Sequence, residues 1–304
     1  MGISSETAAT AIRAVFAAER IDPADGAAIL PDYLAIADWL AAKRAGRSGP
    51  LILGICGAQG SGKSTMSLAL AAGLDRAAGL RVANLSIDDF YVSRRIRAML
   101  AADVHPLFAA RGVPGTHDVA LAMDTIGQLR AASDGSTVKL PRFDKATDDV
   151  VPANGWPVFD GRPDIILLEG WCVGARPQDE AALAEPVNAL ERDEDTEKLW
   201  RSAVNARLAD DYQALFAELD LLLMIAAPSF DAVFAWRREQ ERKLAERIAA
   251  TGADGGAIMD DAAVARFIMH YERLTRHILS EMPDRADGVL ALDNARAVRS
   301  LLLS

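Results

Sequence analysis

The string Gly57-Ala58-Gln59-Gly60-Ser61-Gly62-Lys63-Ser64-Thr65 constrains this chain more than any other feature. It fits the pattern G-x-x-x-x-G-K-[ST] and lies between a short apolar run, Leu51 to Ile55, and a stretch of helical spacing from Lys63 to Ala78. A strand that turns through glycines into a helix can fold its backbone tightly enough for successive N–H groups and the helix N-terminus to face one anion. The ligand such a turn takes is the phosphate chain of a nucleotide. Lys63 is placed to reach the β- and γ-phosphates, and the Ser64 hydroxyl to ligate Mg²⁺.

Further apolar runs at Val82 to Ile87, Ile165 to Leu168, Leu221 to Ala226 and Val289 to Leu292 alternate with helical patterns. Those patterns lie around Val119 to Ala132, Leu199 to Leu215, Phe230 to Ala250 and Ala262 to Ser280. Short continuous apolar strands separated by helices predict an α/β fold, a P-loop NTPase-type parallel sheet with helices on both faces. Ahead of it, an Ala-rich stretch with helical spacing is broken at Asp22-Pro23 and Pro31, which predicts two or three short helices. The turn-rich segment Arg44 to Pro50 sets a boundary between an N-terminal helical extension, 1–48, and the P-loop domain, 49–304.

A formal net charge of −10 supplies no basic stripe for a phosphate backbone, which argues against a nucleic-acid partner. Cys56 and Cys172 lie far apart beside apolar runs and without metal-ligand spacing, so they read as buried hydrophobes of a reducing compartment. No run approaches the roughly 18 uninterrupted apolar residues of a membrane span, and no basic-then-apolar leader opens the chain. A cytoplasmic location and no membrane partner are the expectations.

The phosphate loop does not say which reaction follows, so the ends of the other strands must. The second strand ends in Asp88-Asp89-Phe90-Tyr91, and a carboxylate there points into the ligand crevice of a parallel sheet. Asp88 could hold or deprotonate an attacking alcohol, or the pair could simply cap the next helix. The third strand delivers Glu169-Gly170 to the same edge, where an acidic residue suits Mg²⁺. Two segments suit an acceptor: Arg111 to Asp118, in which Asp118 serves equally well as a helix cap, and Pro141 to Lys145, whose Arg142 and Lys145 could neutralise an anion. Arg237 and Arg238 lie in the charged helix that leads to Gly252 to Gly256, a candidate lid over 236–256; the interleaved Glu239, Glu241 and Glu246 fit an ordinary solvated helix as well.

Together the P-loop, the Asp-x-Phe-Tyr string and Glu169-Gly170 resemble the uridine kinase, phosphoribulokinase and pantothenate kinase superfamily. Within it, Arg111 to Asp118, Pro141 to Lys145, Glu169 to Gly174 and Asn188 to Asp195 resemble plant-type D-glycerate 3-kinase and its bacterial and fungal relatives. The resemblance implies an ATP- and Mg²⁺-dependent small-molecule kinase that converts D-glycerate to 3-phosphoglycerate. It implies Asp88 as the catalytic aspartate, Lys63 and Ser64 on phosphate and metal, Glu169 as the second carboxylate, and Arg237 and Arg238 as the arginine lid. It places the acceptor against Tyr91, His117, Asp118, Asp144 and Lys145. Two other readings stay open: a kinase for a nucleoside or pantothenate-like acceptor, and a nucleotide-hydrolysing switch or assembly protein. Against a GTP-driven switch, no Asn-Lys-x-Asp string occurs.

Overall fold

The computed structural model describes residues 5–251 and 260–304. Two helices, α1 (Ser5–Ala18) and α2 (Pro23–Arg44), precede β1 (Leu51–Gly57), α3 (Lys63–Ala78) and β2 (Val82–Ser86). Next come α4 (Arg94–Asp103), α5 (Val119–Ala131) and four short strands, β3 (Thr137–Lys139), β4 (Phe143–Asp144), β5 (Asp149–Val150) and β6 (Val158–Asp160). The chain continues through β7 (Ile165–Gly170), α6 (Ala189–Glu194), α7 (Leu199–Ala209), α8 (Asp211–Phe216) and β8 (Leu221–Ala226). It closes with α9 (Phe230–Thr251), α10 (Asp261–Glu281), β9 (Gly288–Leu292) and β10 (Val298–Leu303).

The central sheet runs β2-β7-β1-β8-β9-β10, parallel except for the last strand. Every residue of β1 and β7 is buried, which is why these runs carry no polar alternation: helices cover both faces. β3 pairs with β6 and β4 with β5 as small antiparallel ladders outside the sheet. No helix of the described residues is long and apolar enough to cross a membrane.

Several elements depart from the sequence reading. The break at Asp22-Pro23 is present, with Asp22 accepting a hydrogen bond from Ala24 N at 2.8 Å, but α2 runs straight through Pro31. A proline inside a helix costs about 3 kcal/mol. Burying Leu30, Tyr33, Ile36 and Leu40 on one face, at about 1.5–3 kcal/mol per large apolar side chain, outweighs it. The single helix expected over 199–215 is two, separated at Asp210, whose φ of −101° and ψ of −106° leave the helical region. Helix α4 and the edge strand β10 went unread because their apolar residues are diluted by arginines and by exposure.

α1 and α2 pack against α3, and Ile12, Phe16, Tyr33, Ile36 and Leu40 join the same hydrophobic core as the strands. Ile12, fully buried, lies over Gly73 of α3. Ile12→Ala is therefore expected to lower stability by about 2–4 kcal/mol. Thermal unfolding followed by circular dichroism should stay a single transition; a separate early melt of the N-terminal helices would show that their core is not shared.

Candidate active site

Register brings the site together. β7 pairs with β1 and β2 so that Glu169 lies opposite both Ile55 and Ser86. The residues that follow each strand, the P-loop after β1 and Asp88 after β2, therefore meet Glu169 at one edge of the sheet. The Ser64 hydroxyl donates to Glu169 Oε1 at 2.8 Å. Glu169 is only 6% exposed, and its Oε2 has no hydrogen-bond partner, an arrangement that costs free energy unless a cation takes the oxygen. A hydroxyl and a carboxylate are the hard oxygen donors Mg²⁺ prefers, the remaining positions being filled by phosphate and water. The residues present fit that ion.

The loop itself is under-bonded in the same sense. Gln59 Oε1 and Ser61 Oγ are buried without partners, and the Lys63 ammonium has no hydrogen-bond or ion-pair partner among the described residues. Gly60 holds a φ of +80°, and a Cβ there would come within 2.9 Å of the Trp236 side chain. Glycine is thus required twice over, by the left-handed backbone and by α9 lying against the loop.

Asp88 sits in a 3-10 turn, Ile87–Phe90, whose start is capped by Ser86 Oγ accepting from Asp88 N at 3.3 Å. Tyr91 donates its hydroxyl to Asp88 Oδ1 at 2.9 Å, and the Lys145 ammonium meets Oδ2 at 2.6 Å. Burial pushes this carboxyl up, but the ammoniums of Lys145 and Lys63 outweigh burial and hold it at about 2. Asp89 is occupied differently: Arg142 Nη1 at 2.8 Å and the Phe143 N–H at 3.3 Å bind its two oxygens. The two cations read from sequence as neutralisers of an acceptor are therefore each paired with one member of the aspartate pair. The Arg142–Asp89 contact anchors β4, and β4 carries Lys145 to Asp88.

His117 is buried, stacks on the Tyr91 ring at 4.5 Å between centroids, and places Nδ1 2.5 Å from the Tyr212 hydroxyl. Burial lowers its pKa to about 4, against the pull of Asp88, so the ring is neutral at pH 7. Asp118 and Asp144 are engaged locally. Asp118 is exposed and caps α5 through Leu121 N at 2.9 Å; Asp144 accepts from Ala146 N at 2.9 Å and from the Thr147 hydroxyl at 2.8 Å. Neither carboxylate bonds to Asp88, Tyr91 or His117.

Arg237 pairs with Glu241 and lies over the Phe267 ring at 5.3 Å, while half-exposed Arg238 pairs with Asp261 at 2.8 Å. Neither guanidinium bonds a P-loop residue; α9 reaches the loop through Trp236. Residues 252–256 of the expected lid lie outside the described residues. Sequence reading also passed over Tyr271 and Tyr212. The Tyr271 hydroxyl donates to Arg111 O at 3.1 Å and Trp171 Nε1 to Gly112 O at 2.8 Å, which fastens the Arg111–Gly112 turn to the end of β7 and to α10. Both tyrosines stand in helices with an apolar face, where nothing local sets them apart from core.

No protein-family profile matches the chain. It is 34% identical over 230 residues to the uncharacterized kinase mug58 of Schizosaccharomyces pombe, covering 73% of this chain and 78% of that protein. To the chloroplastic D-glycerate 3-kinase of Arabidopsis thaliana it is 28% identical over 257 residues, 80% of this chain and 52% of the plant protein, so it spans about half of that relative. The D-glycerate 3-kinase of Cryptococcus neoformans superposes with a TM-score of 0.72 at 22% identity, over 89% of this chain and 98% of its own, and shares the fold.

An NMR titration of the Asp88 carboxyl should find its transition near pH 2. In Lys145→Met the transition should move up, because the largest force opposing burial is gone. Since the folded-state value lies below the usual 3.8, the pairing contributes stability above about pH 4 that is lost as pH falls toward 2. An unshifted transition in the variant would remove Lys145 as the cause.

Proposed function

The chain belongs to the D-glycerate 3-kinase family of P-loop kinases, and we propose that it transfers the γ-phosphoryl group of ATP, with Mg²⁺, to a hydroxyl of D-glycerate, forming 3-phosphoglycerate. The observation that carries this reading is Asp88, an ionised carboxylate held by Tyr91 and Lys145 at the strand edge that also presents the P-loop. A hydrolytic switch has no need of a second anchored carboxylate on the acceptor side.

Lys63 and the loop N–H groups bind the phosphates and hold the γ-phosphorus in line with the incoming oxygen. Ser64 and Glu169 would hold Mg²⁺, which when bound neutralises charge on the phosphate oxygens. Asp88 is too acidic to remove a proton from an alcohol before attack. Each carboxylate oxygen has a second lone pair, so Asp88 can accept the acceptor's O–H while it keeps Tyr91 and Lys145. It orients the hydroxyl and takes the proton as the new O–P bond forms, which is sufficient for a transfer in which the nucleophile is weakly engaged. Lys145 and Tyr91 line the acceptor side, and Arg237 and Arg238 act from α9 if their present partners release them. The N-terminal extension braces α3 through α1 and α2. The free, buried thiols of Cys56 and Cys172 fit a reducing cytoplasm.

ADP release from Mg·ATP should rise strongly with D-glycerate, and NMR should identify 3-phosphoglycerate as the product. Asp88→Asn should lower turnover by about 10²–10⁴-fold with ATP affinity retained. Turnover unchanged in that variant, or stimulation by a nucleoside or pantothenate in place of D-glycerate, would overturn the assignment of the residue or of the acceptor respectively. Glu169→Gln should raise the Mg²⁺ concentration needed for half-maximal ATP binding; an unaltered requirement would take Glu169 out of the metal site.

A further inference from the structure

The Tyr212 hydroxyl has three polar neighbours: the Gly115 N–H, which donates to its oxygen at 3.1 Å, the backbone N–H of His117, and His117 Nδ1 at 2.5 Å. Tyr212 is fully buried and His117 nearly so. Two proton arrangements are possible. If Nδ1 carried the hydrogen and donated to Tyr212, the phenolic hydrogen would have no acceptor and the Nε2 lone pair no donor. If Tyr212 donates to Nδ1, its oxygen still accepts from Gly115 and only the Nε2–H is left over. The second arrangement leaves one buried polar group unpaired where the first leaves two, at about 1–3 kcal/mol for each. The hydrogen therefore belongs on Nε2, and Nε2 is the His117 atom that lacks a partner.

The ring that carries this unpaired N–H packs beside the candidate reacting groups. The His117 ring stacks on Tyr91, the same tyrosine that bonds Asp88, and it is near enough to feel the Asp88 charge. We propose that Tyr212 is a positioning residue: by donating to Nδ1 it locks His117 in its Nε2–H tautomer, so that a neutral N–H is offered to an oxygen of the acceptor next to Asp88. The assignment rests on the kinase reading above and adds to it a residue from α8. The helix break at Asp210 makes this reach possible, since it starts α8 in a new direction one residue before Tyr212. A neutral donor suits a hydroxyl or carboxylate oxygen without adding a cation that would compete with Lys145 for Asp88. It also rejects an analogue lacking that oxygen, because the N–H would then stay unpaired.

Two measurements on the full-length protein test this. Long-range ¹⁵N–¹H correlation of the His117 ring should show a protonated Nε2 and an unprotonated Nδ1 in the wild type, and a mixture of tautomers in Tyr212→Phe. A protonated Nδ1 in the wild type would overturn the proposal whatever the substrate. In steady-state assays with D-glycerate, Tyr212→Phe and His117→Phe should each raise the acceptor KM about tenfold, with the KM for ATP within about twofold. His117→Phe keeps a ring on Tyr91 but has no N–H. His117→Gln, which restores a donor, should recover most of the loss. Equal acceptor KM in wild type and His117→Phe would eliminate the donor role. Absence of any D-glycerate turnover in the wild type would instead count against the proposed acceptor, leaving the tautomer result to decide the role of Tyr212.

Discussion

A strand packed on both faces is held in register by the shape of its neighbours: at Gly54 of β1 a Cβ would come within 2.6 Å of Leu219, so a shift of one residue would force a side chain where only glycine fits. β1 is such a strand, held between β7 and β8, and the site depends on that constraint. Its end fixes where the P-loop begins, and its register with β7 sets Glu169 beside Ser64. The phosphate-binding turn is thus built on the part of the molecule least able to move. Its unpaired polar atoms are tolerated because the surrounding core carries their cost.

Around this frame the carboxylates at the sheet edge differ in how their oxygens are partnered. Asp88 has Lys145 and Tyr91, Asp89 has Arg142, and Glu169 has Ser64 on one oxygen alone. The difference is informative. Both oxygens of Asp88 and of Asp89 are bonded within the protein, whereas Glu169 Oε2 is left with capacity for a cation. The same accounting applied to His117 separates a neutral donor from a general base, since its second nitrogen is set by Tyr212 and its low pKa keeps it uncharged.

α9 and α10 join this site to the second half of the chain. Trp236 fills the space left by Gly60, and Tyr271 and Trp171, packed edge to face at 4.8 Å, fasten the Arg111–Gly112 turn. The hydrogen bonds of Tyr271 and Trp171 go to backbone carbonyls, so they fix the course of this turn without adding charge to it.

The chemistry that follows from contiguous residues was legible from the start. Helix α3 begins and ends where its pattern said, and the four buried parallel strands beside β1 appear within two residues of their apolar runs. Lys63, Ser64, Asp88 and Glu169 stand at strand ends because a parallel sheet delivers its ligand-binding side chains there. Pairings between distant residues were not legible. Lys145 is 57 residues from Asp88, Tyr212 is 95 from His117, and no local spacing encodes either contact. The helix through Pro31 and the break at Asp210 escaped for a related reason: packing outweighed the local preference in one case and redirected the chain in the other. By itself the sequence determined the sheet, the phosphate loop and the carboxylates at its edge, since each depends on neighbours in the chain. Which cation keeps Asp88 charged, which tautomer His117 adopts and whether Arg142 faces a ligand or Asp89 were decided only by the tertiary structure, because those energies come from groups the fold alone brings within hydrogen-bond reach.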